Sequence, residues 1–208
     1  MVKTEDLRFQ YTPERSFNFP DIHVEKGQQL CVLGPSGKGK TTLLHLLAGL
    51  LKARNGKVMI EGQDLSELKG ASLDAYRAKH IGIVFQVPHF IASISLLENI
   101  RLTMHLGNKH VDESSIQEKL EALGLSHRKD ALPSQMSQGE LQRASIIRGT
   151  INNPDLVLAD EPTSSLDDAN AERVMQLLLE QSREVNAALI LVTHDARVKQ
   201  HISKSILL

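Results

Sequence analysis

Three things are scarce in this chain of 208 residues: an excess of charge of one sign, cysteine, and long apolar runs. Lys and Arg number 24 against 25 Asp and Glu, a formal net charge of -1. No global basic field exists, so binding to nucleic acid or to a membrane surface through bulk charge is disfavoured. Cys31 is the single cysteine. It excludes an intrachain disulfide and a multi-Cys zinc site, and it suits a reducing compartment. No apolar run approaches the length that spans a bilayer. The start, Met1-Val2-Lys3-Thr4-Glu5-Asp6-Leu7-Arg8, has no signal-peptide core. Internal repeats, low-complexity stretches and long linkers are also missing. What remains is 41% hydrophobic and 24% charged, an ordinary globular composition for one domain with a real core. A soluble, cytoplasmic protein is expected.

The order of apolar segments indicates the fold. Residues 2–9 and 17–24 alternate weakly and predict short antiparallel strands. Leu30-Cys31-Val32-Leu33, Val58-Met59-Ile60 and Ile81-Gly82-Ile83-Val84-Phe85 read as further strands. Leu156-Val157-Leu158-Ala159 and Ala188-Leu189-Ile190-Leu191-Val192 are continuous apolar runs, as strands buried on both faces of a parallel sheet require. A helix is predicted over 40–51 from Leu43, Leu44, Leu46, Leu47 and Leu50, and another over 168–185. Residues 88–150 read as mostly helical. There Asp112 is a candidate N-cap, Ile116, Leu120 and Leu123 share a face, and Gly124 stands at a C-cap. Alternating strands and helices predict an α/β fold with a parallel central sheet.

The strand at 30–33 runs into Gly34-Pro35-Ser36-Gly37-Lys38-Gly39-Lys40-Thr41, followed by a helix. This is G-x-x-x-x-G-K-[ST] in the context the motif demands, which sets it apart from a Gly-rich turn that merely caps a helix. Glycines let several N–H groups converge on phosphates, and the helix dipole adds positive potential. Lys40 would reach the β- and γ-phosphates and the Thr41 hydroxyl would ligate magnesium. A second apolar run, 156–159, ends in Asp160-Glu161 and then Pro162. The strand tip would deliver Asp160 beside the metal, and Glu161 would orient or deprotonate the attacking water.

With these motifs in this order, the sequence resembles the nucleotide-binding subunit of an ATP-binding-cassette (ABC) transporter along essentially its whole length. Gln86 stands at the family's Q-loop, Met136-Ser137-Gln138-Gly139-Glu140 at its signature, Ser165-Leu166-Asp167 at its D-loop and Val192-Thr193-His194-Asp195 at its switch histidine. The resemblance implies a single ABC ATPase domain over 1–208. It would pair a P-loop core with an N-terminal antiparallel β subdomain and an inserted helical subdomain at about 88–150. It implies catalysis by Glu161, His194 and Gln86, with magnesium held by Thr41, Gln86 and Asp160. ATP would be bound by Tyr11, residues Gly34, Pro35, Ser36, Gly37, Lys38, Gly39, Lys40 and Thr41 of the P-loop, and Thr42. Ser137, Gly139 and Asp167 would meet the nucleotide of a second copy in a head-to-tail ATP-sandwich homodimer. Integral membrane permease subunits are the implied partners, placing the chain on the inner face of the cell membrane.

The segments 81–86, 97–99, 158–163 and 192–195 resemble the branch of lipoprotein-release, macrolide-efflux and cell-division ATPases. A regulatory ATPase of the cell-division type, or a soluble ABC ATPase, is the alternative. Phe90, Ile91, Ile94, Leu96 and Leu97 are read as a partner groove, with packing inside the helical subdomain as the competing explanation. Two residues depart from the family pattern. Gln138 replaces a usual Gly, which would slow hydrolysis or retain one permissive geometry; Lys38 lies where small residues are common and is expected to face solvent. Ser137 with Glu140 also forms a capping box for the following helix. The eight histidines besides His194 show no ligand spacing such as HExxH.

Overall fold

Alternation within the buried runs decides which side chains face which half of the molecule. The computed structural model describes residues 1–195, 198 and 200–208. Strands β4 (Gln29–Leu33), β7 (Ile81–Val84), β8 (Leu156–Asp160), β9 (Ala188–Thr193) and β10 (Ser205–Leu207) form one parallel sheet. Its order is β10-β4-β9-β8-β7. Leu30, Val32, Leu156, Leu158, Ile190 and Val192 point into one apolar cluster. Their neighbours Cys31, Leu33, Val157, Ala159, Leu189 and Leu191 point into the other. Side-chain period 2 thus fills both faces, and no polar residue interrupts the runs.

The second sheet is antiparallel. It comprises β1 (Val2–Thr12), β2 (Arg15–Asn18), β3 (His23–Val24), β5 (Asn55–Ile60) and β6 (Gln63–Asp64). It packs Val2, Leu7, Val24, Val58 and Ile60 onto the first cluster together with α1 (Lys40–Leu47). The remaining helices are α2 (Ala71–His80), α3 (Leu96–Leu106), α4 (Glu113–Ala122), α5 (Gln138–Thr150) and α6 (Asp168–Glu184). Among them, α3, α4, α5 and α6 contribute to the second cluster.

Several predicted boundaries shift for local reasons. The strand expected over 17–24 splits into β2 and β3 around Pro20, which has no N–H to give a ladder. Strand β1 runs on to Thr12 through an irregularity between Gln10 and Thr12. Helix α1 stops at Leu47, and Gly49 follows at φ 63. Residues 88–95 are not helical. Their turn is stapled by buried Asn99, whose Nδ2 donates to the carbonyls of Ile91, Ile94 and Ser95, while its Oδ1 accepts from Ile91 N at 2.9 Å. Helix α4 has the expected ends: Asp112 accepts from Ser114 N and Ser115 N, and Gly124 is left-handed at φ 66. Ile116, Leu120 and Leu123 are buried.

The predicted groove at 90–97 is corrected. Leu96 is core, and Phe90 and Leu97 pack against the same cluster. Ile91 alone of the five is a strongly exposed large apolar side chain. A groove of about 740 Å³ does exist, between α2, α3 and α5, with Leu50, Ile91, Leu102, Leu106 and Arg148 among its lining.

Helix α5 reaches the sheet because two glycines let the backbones touch. A Cβ on Gly82 in β7 would lie 1.7 Å from the carbonyl oxygen of Gly149. Backbone cannot yield as a flexible side chain would. Gly82→Ala is therefore expected to cost about 2–3 kcal/mol, lowering Tm by roughly 5–10 °C in a thermal melt; an unchanged Tm would contradict this close contact.

Candidate active site

The register of the parallel sheet brings four strand ends level. Leu33 lies beside Thr193, Asp160 beside Val192, and Val84 beside Ala159. The loops leaving β4, β7, β8 and β9 therefore meet at one edge, the edge where open α/β sheets bind ligands. There a pocket of about 290 Å³ is lined by Ser36, Gly37, Gly39, Lys40, Thr41 and Thr42, with Gln86, Glu161 and His194 opposite.

Gly37 and Gly39 hold φ 84 and 92, conformations that side chains disfavour. A Cβ on Gly39 would also strike the Phe17 ring at 2.6 Å, whereas at Gly37 nothing lies within 4 Å. The loop is thus pinned at one glycine and open at the other. Lys40 begins α1 and is buried. Its Nζ donates to Gly34 O at 2.7 Å and Pro35 O at 3.2 Å, and it lies 3.6 Å from Glu161 Oε1. Pro35, Ser36 and Lys38 are exposed.

Asp160 is the last residue of β8 and is 5% exposed. Its Oδ1 accepts from Thr41 Oγ1 at 3.4 Å. Burial pushes its carboxyl above the usual range; the Thr41 hydrogen bond opposes this and the neighbouring Glu161 charge adds to it. Glu161 turns the chain at φ 44, a left-handed conformation strained for a non-glycine residue. That turn is fixed by Glu161 N donating to Val192 O at 2.9 Å and Ser164 Oγ donating to Glu161 O at 3.1 Å. The carboxylate accepts from Thr193 Oγ1 at 3.0 Å and His194 N at 3.3 Å, and meets His194 Nδ1 at 2.8 Å. Gln86 Nε2 donates to Ser164 Oγ at 3.0 Å, tying the end of β7 to the same turn. Asp160 and Glu161, adjacent in sequence, are thereby split: one faces Thr41, the other Lys40 and His194.

Tyr11 is 48% exposed at the rim, its Oη 3.3 Å from Thr42 Oγ1. The Phe9 ring meets it edge-on at 4.7 Å. Sequence reasoning missed three residues here. Thr193 and Ser164 hold Glu161, and Arg15 lines the pocket. A hydroxyl at the end of a buried strand was the available signal for Thr193; Arg15 had none.

A family model described as "ABC transporter" matches residues 17–164. The chain belongs to the ABC transporter family. It is an ATPase cassette of that family. The dimeric structure of MJ0796, a bacterial ABC transporter cassette, superposes with a TM-score of 0.89 at 30% identity, covering 100% of this chain and 94% of that one. The post-hydrolysis dimer of the same cassette, bound to ADP and Pi, gives 0.87 at 30% identity over 100% and 94%. CbiO1 from Clostridium perfringens, part of the ABC transporter complex cbiONQ, gives 0.86 at 25% identity over 99% and 83%.

The remaining ABC motifs do not line the pocket. Ser137 caps α5 in a capping box with Glu140: Ser137 Oγ accepts from Glu140 N at 3.3 Å and Glu140 Oε2 from Ser137 N at 2.8 Å. Asp167 caps α6, accepting from Asn170 N at 3.0 Å. These two helix starts adjoin, since a Cβ on Gly139 would be 3.6 Å from Asn170 Oδ1. Gln138 is the first residue of α5, and positive φ is not among its properties. A helical position asks for no glycine freedom, so Gln138 carries no backbone penalty there.

Glu140 is buried and accepts from Arg128 Nε at 2.8 Å. The Ser137 backbone N–H first, then Arg128, hold its carboxyl down to about 2 from 4.5. A carboxyl depressed in the fold stabilises above its ordinary pKa and loses that contribution as pH falls through the folded value. Glu140→Gln should lower Tm at pH 7 by about 2–4 °C. In thermal melts the gap to the parent should close as pH falls from 4.5 toward about 2; a gap constant with pH would contradict the charge-based account.

Proposed function

We propose that this chain binds and hydrolyses ATP as a head-to-tail homodimer and drives an integral membrane permease from the inner face of the cell membrane. The observation that carries it is the convergence of Lys40, Glu161, Gln86 and His194 on one pocket at the sheet edge. One ATPase unit over 1–208 would contain all of these parts. In this reading the P-loop amides and Lys40 hold the β- and γ-phosphates, Lys40 exchanging its two carbonyl acceptors for phosphate oxygens. Glu161 takes a proton from a water as its oxygen attacks the γ-phosphorus, and the bond to the β–γ bridging oxygen breaks to release ADP. His194 and Gln86 orient the water and the γ-phosphate. Four groups fixed before the substrate arrives make this positioning and charge stabilisation.

The donor set fits magnesium. Thr41 Oγ1 and Asp160 Oδ1 are hard oxygens 3.4 Å apart, and Gln86 adds an amide oxygen at the pocket wall. When bound, magnesium would be held by Thr41, Asp160 and Gln86 and would supply Lewis-acid charge neutralisation to the phosphates.

Two features support a second copy. At about 290 Å³ the pocket stands at the foot of the roughly 300–1,000 Å³ range of ligand sites, and a second copy would complete its enclosure. Ser137, Gly139 and Asp167 stand at neighbouring helix starts with no nucleotide of their own to contact, and would cover that side across the dimer. The permease reading rests on the groove between α2, α3 and α5, where exposed Leu50, Ile91 and Leu106 present an apolar rim. No helix among the described residues is long and apolar enough to cross a membrane. Motif likeness favours a permease of the lipoprotein-release or macrolide-efflux type.

Tagged Glu161→Gln protein, purified with ATP from detergent-solubilised native membranes, should carry a permease as well as its own dimer. Adding Ile91→Asp and Leu106→Asp should remove the permease while leaving ATP-dependent dimerisation intact. Recovery of the homodimer alone from both preparations would contradict the permease reading, and a monomer in ATP would contradict the sandwich.

A further inference from the structure

The β1–β2 hairpin carries a cation that the hydrolysis chemistry does not use. Arg15 pairs with Thr12 at the start of β2 and is exposed, yet it lines the same pocket as Ser36, Gly37 and Thr42. Its guanidinium carbon lies over the Tyr11 ring, 5.2 Å from the centroid, and 5.8 Å from that of Phe17. Among the described residues it forms no ion pair with a carboxylate, and its guanidinium sits beside these two rings. Lys40 is the opposite case: buried, and already bound to two carbonyls. Lys38 is exposed but does not line the pocket. Arg15 is therefore the cation that an incoming polyphosphate meets at the mouth.

We propose that Arg15 is a second phosphate-binding cation of the nucleotide site, parked on the Tyr11 ring and released to the phosphates when the base takes that ring face. This rests on the nucleotide reading of the pocket. A base stacks about 3.5 Å above an aromatic ring, so the base and a guanidinium over the same ring exclude each other. The cation–π contact it gives up is weak at an exposed site, while the charge-assisted hydrogen bonds it gains with phosphate are strong and can be bidentate. The hairpin then does two jobs. The irregularity between Gln10 and Thr12 aims Tyr11 at the base, and four residues later the chain supplies a charge for the phosphates.

The test is isothermal titration of the full chain and of Arg15→Ala with MgATP, MgADP, AMP and adenosine. Arg15→Ala should weaken MgATP and MgADP about tenfold and AMP less. Adenosine should be unchanged or tighter, because the ring face is freed. Arg15→Lys should recover most of the MgATP affinity, and the loss in Arg15→Ala should shrink with added salt. Unchanged MgATP affinity, or an equal loss for adenosine and MgATP, would overturn the proposal. MgATP binding that survives Lys40→Ala undiminished would instead overturn the nucleotide site on which it rests.

Discussion

Burial of both faces of the parallel sheet is the constraint from which the rest follows. Strands β8 and β9 have no exposed residue, and β4 has one partly exposed residue at its start. A strand closed above and below offers polar chemistry only at its ends. The pairing register then sets those ends side by side, so that a P-loop, an acidic pair and a histidine far apart in sequence share one small volume. Shifting β8 by one residue would turn its side chains to the opposite faces and move Asp160 off the edge. Packing thus specifies the candidate site before any polar contact does.

The polar contacts refine what packing delivers. Two adjacent carboxylates would repel each other and blur their roles if both pointed the same way. The left-handed turn at Glu161 prevents this. Its strain is held by hydrogen bonds to Val192 O of the flanking strand β9 and from Ser164 within the turn itself. The result is an electrostatic division: buried Asp160 resists ionisation and favours a cation beside Thr41, while Glu161 lies within reach of Lys40 and His194. The same turn carries Ser164 to Gln86, so a hydrogen bond joins the segment leaving β7 to the turn at Glu161. Helix α5, whose backbone touches β7 at Gly82 and Gly149, also lines the groove between α2, α3 and α5.

Much of this was legible in the sequence where one strong local signal sufficed. The buried runs at 30–33, 156–159 and 188–192 marked their strands, and the Gly-rich loop and acidic pair at their ends marked residues that the structure brings together at one pocket. Asp112 and Gly124 marked α4 because capping chemistry is local. Helix α2 was missed because it has no buried residue and so no apolar period. The segment 88–95 read as helix because its apolar content is high, and its turn depends on Asn99 reaching back from the next element. Arg15 was silent for a similar reason: an arginine in a short hairpin acquires meaning only when the fold sets it over Tyr11 at the pocket mouth.

The central claim is that Glu161, placed by its strained turn, acts on the attacking water while Lys40 and the P-loop do the binding. Single-turnover hydrolysis of γ-labelled ATP by wild-type protein and Glu161→Gln, at matched nucleotide occupancy, tests it most directly. The account predicts a loss of about 10²–10⁴-fold in the cleavage rate with MgATP affinity unchanged. A cleavage rate within a few-fold of wild type, or a loss fully explained by weakened binding, would contradict it.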